Sequence, residues 1–277
     1  MCEKFSVLIP VYYKDDPLVF DEALVSILQN TVTPSQIVIV VDGPLSPDLE
    51  NIISKYEKRP TILVKRLPEN RGIIEALNFG LNFCDNSLIA RCDADDININ
   101  TRFERQLVAF YRDPQLVLCG GQIVEKSDEN YHKKMVPINH DQIIEFAKLR
   151  NPFNHMTVMF RKNAVIECGC YPNIPYREDY ALWVTLLQSG YKVYNLDDIL
   201  VEASGGLDMY KRRGNIKHLK YELSLQNYFL KLGFINKLQF LINTTIRSAN
   251  MLLPANLRGV VYSRLLRRKK NTECSAN

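Results

Sequence analysis

The sequence predicts an α/β fold, in which a mostly parallel sheet carries helices on both faces. Short apolar runs alternate with segments of helical periodicity over about the first 95 residues. Each run is apolar at consecutive positions, as in strands that are buried on both faces of a parallel sheet. Proline preceded by aspartate or serine stands where two of the helices would begin. A β-α-β-α-β-α-β order of this kind implies parallel strands joined by helical crossovers.

The first half of the chain supplies four strands and three helices. The predicted strands cover residues 5–13, 36–41, 61–67 and 87–92. Asp16-Pro17 and Ser46-Pro47 suit the cap and first position of two helices that end near residues 30 and 58. A third helix follows a short polar loop and ends near residue 83.

The pattern is looser beyond residue 100. Helices are predicted at 101–112 and 179–188, and strands near 115–124, 154–160 and 192–195, with a polar stretch at 125–142. Apolar spacing predicts two more helices at 219–232 and 236–252. We therefore expect a first domain over residues 1–205 and a helical C-terminal region over 206–277.

Composition excludes several classes of protein. A chain of 277 residues with 46% hydrophobic residues can bury a sizeable core. Its seven cysteines include no CxxC pair, so free thiols are expected instead of a zinc site or a disulfide framework. Neither a secretory signal nor a long apolar span is recognised, and we expect a cytoplasmic protein. The glycine motifs of dinucleotide-binding and P-loop enzymes do not occur.

Charge is distributed unevenly along the chain. Residues 211–270 hold 14 Lys or Arg and a single acid, Glu222, whereas the other residues hold 21 Lys or Arg and 30 acids. Apolar clusters are mixed with the basic residues over 236–270, as in amphipathic helices that lie on an anionic membrane. The alternative is a helix packed on the domain with a solvated basic tail. Nucleic acid is not expected as a partner, because no recognised nucleic-acid-binding motif accompanies the charge.

Carboxylates follow two of the predicted strands. Asp93, Asp95 and Asp96 crowd into four residues after the fourth strand. Like charges so close repel one another unless a cation neutralises them, and carboxylates suit Mg²⁺ and Mn²⁺. Asp42 follows the second strand, and ligands bind at the carboxyl ends of strands in such sheets. The alternatives are a solvated acidic turn or helix cap for the cluster and a turn residue for Asp42.

Five segments in this order resemble the inverting family 2 glycosyltransferases of the GT-A fold. They are residues 6–12 (SVLIPVY), 40–43 (VVDG), 70–72 (NRG), 93–96 (DADD) and 178–179 (ED). The chain is most similar to bacterial enzymes that add the second sugar of an O-antigen or exopolysaccharide repeat. The resemblance implies a GT-A fold, in this chain with a basic helical appendage at the C-terminus.

The resemblance also implies roles for the donor side of the site. Asp42 is expected to contact the uracil or ribose of a UDP-sugar, with Asn70 nearby. Asp95 is expected to bind the metal, Mn²⁺ or Mg²⁺. Asp93 is expected beside the ribose or the metal's water shell. Asp96 is either a helix cap or an acid behind the metal ligands.

On the acceptor side, the resemblance implies that Asp179 is the base and that Glu178 contacts the acceptor sugar. Both could instead be acids that favour a helix N-terminus. His155 is either a structural histidine or a site residue. The QxxRW motif of many relatives is missing, and Arg212 could replace its phosphate contact or belong to a basic surface.

The implied reaction transfers galactose, or next glucose, from a UDP-sugar to GlcNAc-diphosphate-undecaprenol in a β-1,3 linkage, in O-antigen or lipopolysaccharide synthesis. The enzyme is expected as a peripheral protein on the cytoplasmic face of the bacterial inner membrane. One alternative is an exopolysaccharide enzyme with another acceptor. Another is a non-catalytic membrane-surface protein with the same fold. A sugar nucleotidyltransferase is disfavoured, because it needs a glycine-rich basic loop after the first strand.

Overall fold

A mixed nine-stranded sheet forms the centre of the computed structural model, which describes residues 3–127, 130–204 and 216–252. Its strands are β1 Phe5–Val11, β2 Gln36–Asp42, β3 Ile62–Leu67, β4 Leu88–Arg91, β5 Ile97–Asn98, β6 Leu116–Ser127, β7 Asn130–Lys134, β8 Met159–Arg161 and β9 Lys192–Ser204. The helices are α1 Pro17–Leu28, α2 Pro47–Glu57, α3 Ile73–Leu81, α4 Arg102–Arg112, α5 His140–Ala147, α6 Lys162–Glu167, α7 Glu178–Gln188, α8 Ile216–Lys231 and α9 Lys237–Leu252. A 3-10 helix covers His155–Thr157.

The strand order is β3-β2-β1-β4-β8-β6-β9-β5, and β7 pairs with β6. The first four strands run parallel, as predicted. β8 runs antiparallel to both β4 and β6. The start of β8 therefore lies beside the end of β4, where the Arg91 N–H donates to the Val158 carbonyl oxygen at 2.9 Å. This reversal brings the segment before β8 to the same sheet edge as the ends of β1, β2 and β4.

Both faces of the parallel strands are buried, which explains their continuous apolar runs. Leu8 and Val40 lie in one core cluster with residues of α3 and α7, and Val7 and Ile39 lie in the other with residues of α1, α2 and α4. The predicted caps of α1 and α2 are also present. The Asp16 carboxylate accepts the Leu18 N–H at 2.9 Å, and each helix starts at a proline.

Beyond residue 112, several elements of the structure differ from the predicted ones. The strand expected at 154–160 divides into the 3-10 helix and β8. β6 and β9 extend well past their predicted ends because they pair with each other in parallel and with β7 and β5. The polar stretch at 125–142 contains β7 and the start of α5. Pairing partners, not local apolar periodicity, fix the length of these strands.

Over residues 216–252 the C-terminal helices pack on the sheet domain. Leu225 and Phe229 of α8 are fully buried in the core cluster that contains Trp183. The ring of Phe229 lies 4.9 Å from that of Tyr180 on α7. No helix of the described ranges is both long enough and apolar enough to cross a bilayer. The predicted domain boundary near residue 205 falls outside the described residues.

A buried ion triad fastens these helices to α7. Glu222 on α8 accepts from Arg177 Nε at 3.0 Å and pairs with Arg247 on α9. The Gln226 side chain donates to the same carboxylate at 3.1 Å. Burial raises the pKa of Glu222, but the two guanidinium groups outweigh it and leave the pKa below its usual value. The triad thus ties α8 and α9 to the residue that precedes α7.

We predict that Glu222→Gln lowers the free energy of unfolding by about 3 kcal/mol, since it leaves two partly buried guanidinium groups without their buried counter-ion. Urea unfolding near neutral pH measures the loss. Because the folded pKa of Glu222 is lowered, the wild type's advantage is present above the unfolded pKa and disappears as the pH falls through the folded one.

Glu50→Gln is the matched control, because Glu50 forms a surface pair with Arg66. We expect Glu50→Gln to lower the free energy of unfolding by less than about 1 kcal/mol. Equal losses of unfolding free energy in the two variants would show that the ion triad does not stabilise the packing of α8 and α9 against α7.

Candidate active site

The candidate site lies at the sheet edge where β1, β2 and β4 end. The polar residues after these strands meet the 3-10 helix before β8 and the first turn of α7. This arrangement follows from the topology, since parallel strands finish at one edge and the reversed β8 begins there.

Three aspartates after β4 form an acidic cluster. One carboxylate oxygen of each of Asp93, Asp95 and Asp96 lies within 4.8 Å of the others. Burial, followed by the charge of Asp93, raises the pKa of Asp95 to about 6 and that of Asp96 to about 8. The cluster therefore resists full ionisation, and a hard divalent cation would relieve the repulsion.

Asp96 holds the end of β9 and does not cap a helix. One carboxylate oxygen accepts the Ser204 N–H at 2.9 Å. The other is buried and has no hydrogen-bond partner within the described ranges. The helix-cap alternative is wrong, because α4 begins at Arg102, after Thr101. A buried carboxylate oxygen without a donor suits a cation.

Arg91 at the end of β4 lies at the centre of the site, and sequence reasoning missed it. It is 3% exposed, and its guanidinium forms a two-pronged ion pair with Asp93. Its charge also acts on the ionisation of His155 and Glu178. A charged residue inside an apolar strand was the available signal, since a fully buried arginine needs paired partners.

Asp15, in the turn after β1, also faces the acidic cluster and was missed. Its carboxylate accepts the Tyr12 N–H at 2.9 Å. Burial raises the pKa of Asp15 to about 7, and the charges of Asp95 and Asp93 add to the shift. A carboxylate just after the first buried strand was the signal, because the same logic selected Asp42 and the cluster.

The two predicted donor residues Asp42 and Asn70 clamp the loop before α3. The Asp42 carboxylate accepts the N–H groups of Arg71 at 2.7 Å and Gly72 at 2.9 Å. The Asn70 side chain donates to the Asp42 carbonyl oxygen at 3.2 Å. The loops approach so closely that a Cβ on Gly43, whose φ is +85°, would lie 2.5 Å from the Asn70 nitrogen. Each Asp42 oxygen keeps a lone pair for a ligand.

Glu178 and Asp179 occupy the first turn of α7. The Asn151 amide donates to Asp179 at 2.6 Å and fixes one of its oxygens. Glu178 is 7% exposed, and its Oε2 is buried without a hydrogen-bond partner in the part of the chain described. Burial, followed by the charge of Asp179, raises the pKa of Glu178 to about 7. Glu178 can therefore exchange a proton near neutral pH.

His155 belongs to an aromatic cluster beneath the Glu178-Asp179 pair. Its Nε2 lies 3.1 Å from the Tyr171 hydroxyl, and its ring lies 5.7 Å from that of Trp183. Burial and the charge of Arg91 lower the pKa of His155 well below its usual value, so the ring is neutral. These contacts favour the structural alternative for His155.

Two residues, Tyr171 and Arg91, interact with both the acidic cluster and the Glu178-Asp179 pair. Burial raises the pKa of the Tyr171 hydroxyl, and Arg91, Asp179, Glu178 and Asp93 all act on it electrostatically. Both groups of acids therefore lie near Tyr171 and Arg91. The predicted Arg212 lies outside the described residues.

Comparisons with known proteins agree with this geometry. Residues 6–181 match the family model of glycosyl transferase family 2. The chain is 37% identical to the UDP-Gal:alpha-D-GlcNAc-diphosphoundecaprenol beta-1,3-galactosyltransferase of Escherichia coli, over 96% of the chain and 97% of that protein. It is 36% identical to the amylovoran biosynthesis glycosyltransferase AmsE of Erwinia amylovora, over 94% of the chain and 98% of that protein.

A solved structure shares the fold. The mannosyltransferase PcManGT of Pyrobaculum calidifontis, in complex with GDP-Man and Mn²⁺, superposes with a TM-score of 0.64 at 15% identity, covering 96% of this chain and 74% of that one. The predicted GT-A fold and glycosyltransferase class are thereby confirmed. The chain belongs to glycosyl transferase family 2 and is a glycosyltransferase.

Proposed function

We propose that this glycosyltransferase moves a hexose from a UDP-sugar to GlcNAc-diphosphate-undecaprenol, forming a β-1,3 linkage in O-antigen or lipopolysaccharide synthesis. Galactose is the favoured sugar and glucose the next. The observation that carries the proposal is that the acidic cluster and the Glu178-Asp179 pair both lie near Arg91 and Tyr171, at the end of the sheet where β4 finishes. The similarity to the galactosyltransferase of Escherichia coli supports the choice of donor and acceptor.

The acidic cluster fits a divalent cation, Mn²⁺ or Mg²⁺. Asp95 is the more exposed ligand, Asp93 adds an oxygen that is steadied by Arg91, and Asp96 brings its buried oxygen without a donor. A bound cation offsets the negative charge of the diphosphate as UDP leaves. The Mn²⁺ in the structurally similar mannosyltransferase complex supports this assignment.

Asp42 and Asn70 are proposed to bind the nucleoside of the donor. Their mutual clamp sets the loop before α3 in place without consuming the remaining lone pairs of Asp42. A rigid loop of this kind lets the donor bind without ordering the loop first. Arg212 is proposed to contact the diphosphate, since guanidinium groups pair well with phosphate oxygens.

Asp179 is proposed as the base of a single inverting displacement. The acceptor hydroxyl oxygen attacks the anomeric carbon, the bond from that carbon to the UDP oxygen breaks, and the hydroxyl proton passes to Asp179. The Asn151 amide holds one Asp179 oxygen and so orients the other towards the acceptor. Glu178 beside it is proposed to hold a hydroxyl of the acceptor sugar.

The proposed lipid-linked acceptor supports a peripheral location on the cytoplasmic face of the bacterial inner membrane. Two other functions compete with this proposal. The similarity to the amylovoran biosynthesis enzyme favours a second candidate, a polysaccharide glycosyltransferase with a different acceptor. A non-catalytic binding protein is disfavoured, because all three aspartates of the acidic cluster and both acids of the Glu178-Asp179 pair are present.

We predict that Asp179→Asn lowers kcat by about 10²–10⁴-fold, because the hydroxyl proton loses its acceptor. UDP-sugar affinity is expected to stay at the wild-type value, since Asp179 lies on the acceptor side. Steady-state kinetics and calorimetric titration with UDP measure the two effects. Asp198→Asn is the control, because Asp198 pairs with Arg105 on the surface. Wild-type turnover by Asp179→Asn would remove Asp179 from the role of base.

We predict that Mn²⁺ affinity falls as the pH is lowered from about 8 to about 6. A cation binds the ionised carboxylates, and the pKa values of Asp96 and Asp95 are raised to about 8 and about 6. Protons therefore compete with the metal throughout this range. Titration calorimetry in buffers of different ionisation enthalpy also detects the released protons. An affinity that does not change with pH would contradict metal binding at the cluster.

The proposed reaction is tested by sugar transfer to a synthetic GlcNAc-diphosphate-lipid. UDP-Gal, UDP-Glc, UDP-GlcNAc and UDP-GalNAc are offered separately, each with Mn²⁺ and with EDTA. We expect metal-dependent transfer from UDP-Gal and a β-1,3-linked disaccharide by NMR. Transfer from UDP-Glc alone would change the assigned sugar. Transfer only to another acceptor, such as GalNAc-diphosphate-lipid, would overturn the acceptor and favour the second candidate.

A further inference from the structure

Helix α9 carries a row of exposed apolar side chains on one face. The residues recur at intervals of three and four, which places them on one side of a helix. Single exposed apolar residues are ordinary, but a contiguous row marks a surface that meets a partner. The members and their exposed fractions are Leu238 65%, Leu241 61%, Ile242 45% and Ile246 57%. We call this row the α9 face.

The opposite side of α9 is held firmly on the domain. The Asn243 amide donates to the Lys148 carbonyl oxygen at 2.8 Å and to Gln226 at 3.1 Å. Arg247 pairs with the buried Glu222 and donates to the Leu149 carbonyl oxygen. These directional contacts fix the rotation of the helix about its axis. The α9 face is therefore directed outwards by the fold and is not an accident of a loosely placed helix.

The two C-terminal helices carry an excess of basic residues. Residues 216–252 contain five Lys or Arg, and their one acid, Glu222, is 2% exposed and neutralised by Arg177 and Arg247. Lys220, Lys231 and Lys237 are exposed. An apolar strip with lysines and no exposed acid on its own helices complements a surface that is anionic outside and apolar beneath. An anionic bilayer has this chemistry.

We propose that the α9 face enters the headgroup region of an anionic membrane and that the exposed lysines bind the lipid phosphates. This inference rests on the proposed function only for its biological purpose, access to a lipid-linked acceptor. Arg247 also links α9 through Glu222 to Arg177, the neighbour of Glu178. The membrane-contacting helix is thus linked through Glu222 to the residue that precedes the Glu178-Asp179 pair.

Vesicle sedimentation of the full-length chain tests the proposal. The vesicles are mixed phosphatidylglycerol and phosphatidylethanolamine, with phosphatidylcholine vesicles in parallel. We expect binding to the anionic vesicles that weakens with salt. Leu238→Ser combined with Leu241→Ser and Ile246→Ser is expected to reduce this binding by about tenfold or more. The control is Val108→Ser with Tyr111→Ser, which removes exposed apolar side chains from α4.

Transfer to a short-chain, water-soluble acceptor distinguishes this proposal from the proposed function. The triple variant should match the wild type on that acceptor and lose activity on vesicle-embedded acceptor. Vesicle binding without transfer to either acceptor would sink the proposed function and leave the α9 proposal standing. Wild-type binding by the triple variant would overturn the α9 proposal. So would a wild-type dimer that the triple variant converts to monomer, because a second copy would then cover the face.

Discussion

The site depends on one electrostatic constraint, the confinement of several carboxylates at the end of a buried strand. Asp93, Asp95 and Asp96 must follow β4 closely to meet the other strand ends, and their mutual repulsion opposes full ionisation. Arg91 answers part of that repulsion from inside the sheet, where it pairs with Asp93. The buried Arg91 guanidinium is stable only when the Asp93 carboxylate neutralises it. The remaining negative charge is of the kind that a divalent cation would neutralise.

The reversed strand β8 connects the acidic cluster to the region of the Glu178-Asp179 pair. Pairing of β8 with β4 sets the 3-10 helix and His155 beside Arg91. His155 packs against Trp183 of α7, and Asn151 holds Asp179 in the first turn of that helix. The acidic pair is therefore positioned by packing and hydrogen bonds from the preceding loop. Arg177, which directly precedes α7, pairs with Glu222, and this ion triad connects the start of α7 to α8 and α9.

Local sequence signals predicted the first half of the fold well. Continuous apolar runs marked β1 to β4, and Asp16-Pro17 and Ser46-Pro47 marked the starts of α1 and α2, because each of these features is set by neighbours in the chain. The lengths of β6 and β9 could not be predicted, since they depend on pairing between distant segments. The reversal of β8 is likewise a property of the whole sheet.

The same distinction holds for the site. Carboxylates at strand ends could be found from topology, and the family resemblance supplied the Glu178-Asp179 pair. Arg91 and Asp15 were missed, although one is a charge inside an apolar strand and the other follows the first strand. Their importance comes from burial and from the fields of residues distant in sequence. The clamp between Asp42 and the loop before α3 needed coordinates for the same reason.

If the acidic cluster and the Glu178-Asp179 pair are the two sides of one metal-dependent transfer site, a metal and the UDP diphosphate must bind between them. The most direct measurement is a crystal structure of the full chain with Mn²⁺ and UDP, in which the anomalous signal locates the metal. We expect a peak bound by Asp95 and a neighbouring aspartate of the cluster, with the UDP diphosphate on the side of the metal that faces Asp179. A metal bound elsewhere, or a diphosphate on the side away from Asp179, would contradict it.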